Sequence, residues 1–149
     1  MSESKAGGPE QRGDGAHPNV FEPLLDLDLQ MLISMLDGDE TGQSHFGVSL
    51  NIPGGLLYGQ AISRRAYEEE WEQTLRDGGP GSEALAAVPR LVRETVREEL
   101  GSRTPGLLPR WVHLREATFL TGAANQTMRY ALWRGRLADV AGWSLSLPS

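Results

Sequence analysis

The sequence predicts an α+β protein: a small, strongly bent antiparallel sheet of about five strands, like an SH3- or Sm-like barrel, with an N-terminal helix and a two-helix insertion. Three observations predict it. Short runs with a period of two, the signature of half-buried strands, fill residues 46–62 and 111–147. Glycine- and proline-rich breakers separate these runs from two helical stretches, at 64–76 and 82–100. Strands that follow one another over short connections pair antiparallel. The alternative arrangement is an open antiparallel sheet with helices on one face.

At 149 residues the chain is long enough for one domain with a real core. Residues 1–19, "MSESKAGGPEQRGDGAHPN", hold no large apolar side chain after Met1 and read as a disordered tail. Residues 20–149 then form a single domain, with the helical insertion at about 64–105. "EPLLDLDLQMLISMLDG" reads as the first helix. Pro23 suits a first turn, the acids Asp26 and Asp28 suit the positive end of the helix dipole, and Gly38 provides a stop. Leu25, Leu29, Leu32 and Leu36 form its apolar face, widened by Leu24, Leu27, Met31 and Met35.

Phe46, Val48, Leu50 and Ile52 alternate with smaller or polar residues, and Pro53-Gly54-Gly55 follows. A phosphate-cradling loop needs its glycines to open a helix. These lead into another strand, Leu56 to Ile62, so Pro53, Gly54 and Gly55 are the turn of a hairpin. Gly59 marks a bend or a close approach of two backbones. Ser63 caps the next helix, whose face is Tyr67, Trp71 and Leu75, and whose acids Glu68, Glu69, Glu70 and Glu72 read as a solvated side. In the following helix Val88, Val92, Val96 and Leu100 repeat every fourth residue, and Pro89 kinks or restarts it. The last third predicts a strand from Trp111, a bulge or turn at Arg115-Glu116, and a closing hairpin. The hairpin has Trp133 on one face, Tyr130, Arg134 and Arg136 on the other, and Trp143 and Leu145 in its second arm.

Composition excludes several function classes. There are no cysteines, hence no disulfide framework, zinc-thiolate site or thiol nucleophile. The three histidines, His17, His45 and His113, lack metal-ligand spacing. No nucleophile elbow is present, and the reading is a non-enzyme without cofactors. No apolar run approaches the roughly 18–20 residues that cross a bilayer, so no membrane partner is expected. These features place the protein in the cytoplasm. A net charge of −6 disfavours nucleic acid. The charge is uneven, however. Val20 to His45 contains six acids and no Lys or Arg, while Arg110 to Ser149 contains five Arg against Glu116 and Asp139. Arg129, Tyr130, Arg134, Arg136, Trp133 and Trp143 form the candidate interaction surface. Arginines beside aromatic rings also suit stacked single-stranded RNA, which gives an Sm-like RNA-binding module as the alternative function.

Three segments in order carry a family resemblance. "GVSLNIPGGLLYGQAISRRAYEEEWEQTL" at 47–75 is similar to the strand-turn-strand-helix core of the gas vesicle accessory protein U family. "WVHLREATFLTG" at 111–122 looks like its next strand pair, and "LWRGRLADVAGWSLSLPS" at 132–149 resembles its closing hairpin. The resemblance covers about two thirds of the chain. It implies a non-enzymatic accessory of gas vesicles, acting in their assembly, organisation or clustering. The implied partners are the vesicle surface, other gas vesicle proteins or further copies of itself. It implies no catalytic residue.

Overall fold

The computed structural model describes residues 25–100, 108–122 and 126–146. The predicted disordered tail, Pro23 and most of the 101–109 loop lie outside these residues. Helix α1 is Leu27–Asp37, two residues later than the leucine pattern alone suggests. Asp26 sets the start: its carboxylate accepts the Leu29 N–H at 3.0 Å, satisfying a donor that the first turn leaves unpaired. Leu29, Ile33 and Leu36 face the sheet and are buried. Leu27, Met31 and Met35, expected to widen that face, point the other way and are exposed. The buried stripe is centred on Ile33 and so misses them.

Strands β1 (His45–Ile52) and β2 (Gly55–Ile62) form the predicted hairpin, with Ile52 paired to Gly55 across a two-residue loop. Pro53 supplies the fixed φ, and Gly54 adopts φ +94, as the third residue of such a turn requires. Ser63 caps α2 (Arg64–Arg76), accepting the Ala66 N–H at 3.0 Å. Helices α3 (Ser82–Ala86) and α4 (Val88–Leu100) follow, and Pro89 sits in the first turn of α4. The helix restarts there rather than kinking, because a first-turn N–H has no partner to lose.

Strands β3 (Trp111–Thr121), β4 (Thr127–Arg136) and β5 (Gly142–Ser144) complete the sheet. The expected irregularity at Arg115-Glu116 is a bulge within one strand. Tyr58 pairs with Thr118 but Gln60 with Arg115, and Glu116 has φ 51. Gly59 lies against it. A Cβ on Gly59 would stand 3.0 Å from both the Ala117 Cα and the Arg115 carbonyl oxygen, so this glycine marks a close backbone approach.

The strand order is β4-β3-β2-β1-β5, every neighbour antiparallel. The expected closing hairpin does not form. Residues after β4 do not return as a hairpin arm; β5 crosses to the opposite edge and pairs with β1, Trp143 facing Leu50. A 3-10 turn at Leu137–Asp139 starts the crossing. Leu137 is buried in the core, and the Ala141 N–H bonds the Asn51 carbonyl at 2.8 Å. This connection forces curvature. Four strand spacings of about 4.8 Å would separate the edges of a flat sheet by ~19 Å. A link containing one 3-10 turn reaches only ~16 Å. The sheet bends strongly, as expected, but stays open like the alternative arrangement, with helices on both of its faces rather than on one.

The main core lies between α1 and the concave side of the sheet, with Val48, Leu50, Leu57, Val112 and Leu114 fully buried. Ala61 belongs to that core. Its neighbour Ile62 belongs to a second cluster with Ala66 and Tyr67 of α2. Consecutive strand residues point to opposite faces, so α2 covers the other side of the sheet.

Candidate interaction surface

The face under α2 gathers most of the unusual side chains. The Tyr67 ring lies 4.7 Å from that of His113 on β3, tilted by 46°. His113 is buried. Burial, and then the nearby positive charges of Arg134 and Arg64, lower its pKa to about 3, so the imidazole is neutral near pH 7. Arg134 pairs across the strands with His113 and places its guanidinium 3.9 Å over the Trp111 ring. Burial and the Arg64 charge both push the Arg134 pKa down. Two cations and a neutral histidine thus share one corner of the molecule.

Glu68 ties the helical layer to this corner. The expectation of a solvated acidic face holds for exposed Glu69 but not for Glu68, which is buried. Its carboxylate accepts Arg64 Nε at 3.0 Å and also bonds Arg93 of α4. A buried carboxylate is tolerated when such donors surround it. The α2 layer is also pinned through Trp71, whose indole N–H donates to the Leu85 carbonyl at 3.1 Å, and through an ion pair of Glu70 with Arg115.

Helix α4 itself is barely packed. Its repeat of valines, Val88, Val92 and Val96, stays 41, 47 and 43 % exposed, and Leu91 and Leu85 of the same layer are more exposed still. Between α4 and the sheet runs an open cleft of about 160 Å³. Val88, Pro89 and Val92 of α4 line one wall; Arg64, Tyr67, Glu68 and Trp71 of α2, with His113 and Arg134 of the sheet, line the rest.

The sequence-predicted surface residues divide into two groups. Arg129, Tyr130, Arg134 and Arg136 lie on the exposed edge strand β4, with Arg136 bonded to Asp139 at 3.1 Å. Trp133 and Trp143 pack against the main core instead. Trp133 lies across Gly135, where any Cβ would run into the indole ring. Trp143 helps lower the Asp26 pKa by hydrogen bonding to its carboxylate, after the larger effect of the Leu29 N–H. The aromatic partner of Arg134 is Trp111, which sequence reasoning missed. Its alternation with Val112 was visible, but its cross-strand register with β4 was not. Pro53 and Gly54 form the β1–β2 turn, Gly55 opens β2 and Gly59 lies against the β3 bulge. Among the described residues no group of His, Cys, Asp and Glu is placed to hold a metal ion, and no helix is long and apolar enough to cross a membrane.

The sequence profile of the family described as gas vesicle protein GvpU-like matches residues 26–147. The chain belongs to that family. No curated protein and no solved structure matches it. The GvpU-like match begins at the Asp26 cap and runs past β5, so it includes the helical layer as well as the sheet. The α4 cleft and the arginine-bearing edge strand are therefore parts of the GvpU-like domain in this chain.

Proposed function

We propose that this chain is a non-enzymatic, cytoplasmic accessory of gas vesicles, acting in their assembly, organisation or clustering through protein-protein contact. The contact is with the vesicle, with other gas vesicle proteins or with further copies of itself. Beyond the family match, one observation carries the reading: a helical layer that leaves five large apolar residues exposed beside an edge strand bearing three arginines. Such a surface is costly to leave in water and marks a contact site. Charge at its rim selects partners of opposite sign.

The RNA-binding alternative finds less support. Two of the aromatic rings it relied on, Trp133 and Trp143, are committed to the core. Purified protein mixed with gas vesicles and centrifuged should rise with the floating layer. Protein that stays in the infranatant, and instead retards single-stranded RNA at low salt, would overturn the proposal in favour of the alternative.

A further inference from the structure

Two apolar stripes of equal length lie uncovered on this molecule. On α1, Leu27, Met31 and Met35 stand at i, i+4 and i+8 and are 63, 54 and 71 % exposed. On α4, Val88, Val92 and Val96 repeat the same spacing. Each stripe runs ~12 Å along its helix at about 1.5 Å per residue. Val88 and Val92 of the α4 stripe line one wall of a cleft that Arg64 and Arg134 also line, and the one acid among its lining residues, Glu68, is already paired with Arg64 and Arg93. An apolar cleft with a cationic rim fits an amphipathic helix that carries acids beside its apolar face.

The molecule itself carries such a helix. Residues 26–40, which contain α1, hold Asp26, Asp28, Asp37, Asp39 and Glu40 and no Lys or Arg. Strand β4 holds Arg129, Arg134 and Arg136 and no acid. Yet α1 cannot enter its own cleft, because Leu29, Ile33 and Leu36 fix it to the opposite face of the sheet.

We infer that the Leu27–Met31–Met35 stripe of one copy docks into the α4–β4 cleft of a second copy. The contact joins two different patches, so it is heterologous, and each added copy presents a new helix and a new cleft. Association is therefore open-ended rather than a closed dimer. This inference rests on the accessory reading above and gives its self-association a partner and two surfaces.

Sedimentation velocity on the full chain tests it. The wild-type mass should rise above the monomer's 16.3 kDa as concentration increases. Met31→Glu spoils the helix and keeps the cleft; Val92→Glu spoils the cleft and keeps the helix. Each alone should remain monomeric, and an equal mixture should form a dimer that grows no further. Both positions are exposed, and circular dichroism checks that each variant folds. Met35→Asp and Val88→Asp form a second pair if either does not. A wild-type chain that stays monomeric would overturn the inference. So would a Met31→Glu variant that still associates, as it would if α4 paired with α4, or a mixture without complementation. The assay contains no vesicles, so its failure is separate from a failure of the wild type to float with gas vesicles, which bears on the gas vesicle reading alone.

Discussion

Gly135 stands two residues from Trp133 on one face of β4, and the indole occupies the space where a side chain would be. A Gly135→Ala substitution displaces the ring from the core. It should lower stability by about 1–3 kcal/mol, as overpacking does, measured as a shift in the urea midpoint. An unchanged midpoint would mean that the ring is free to move. His113 makes a second prediction at this scale. Its folded pKa of about 3 lies below the roughly 6.5 of an unfolded histidine. The unfolded chain therefore takes up its proton first as pH falls. The stability that neutral His113 provides is complete above about pH 6.5 and erodes between there and about pH 3, by on the order of 3–5 kcal/mol. Equilibrium unfolding at several pH values should show this loss, and a His113→Phe variant should lack that part of it. Equal slopes for the two proteins would contradict the assignment.

Elements differ in how firmly they are held. The α1 helix and the four long strands share one continuous core, whereas α4 is attached through the Arg93–Glu68 ion pair and a few edge contacts. Glu68 is the hub of that attachment. Its two arginine partners keep about half of their side-chain surface in water, so the attraction is partly screened. Glu68→Ala should lower the local opening energy of residues 82–100 by about 1–2 kcal/mol. Hydrogen exchange would show faster exchange there and unchanged protection in β1 and β2. Protection lost equally across the sheet would mean that α4 belongs to the cooperative core. Strand β4 is an exposed edge ten residues long, and its arginines also discourage edge-to-edge pairing with other sheets.

At the scale of the whole molecule, the sequence was legible where interactions are local. The Pro53-Gly54 turn, the Ser63 cap, the restart at Pro89 and the bulge at Glu116 all follow from neighbouring residues, and the structure contains each. The failures are non-local. The partner of β5 depends on a five-residue crossing that closes only if the sheet curls, and alternation in "GWSLSL" cannot reveal that. Burial of Glu68 depends on Arg93, from a different helix. The candidate surface was half legible: arginines two apart must share a strand face, but which tryptophan joins them is set by pairing with β3. The valine stripe of α4 was also plain, while its lack of cover was not, since periodicity reports an apolar face and not what lies against it. These exposed faces carry the account's central claim, that the chain works by protein contact at gas vesicles. Co-flotation with gas vesicles, run in parallel for the wild type, Met31→Glu and Val92→Glu, tests it most directly. The wild type should appear in the floating layer and both variants should be depleted from it. A wild-type protein left in the infranatant, or variants that float as well as it does, would contradict the account.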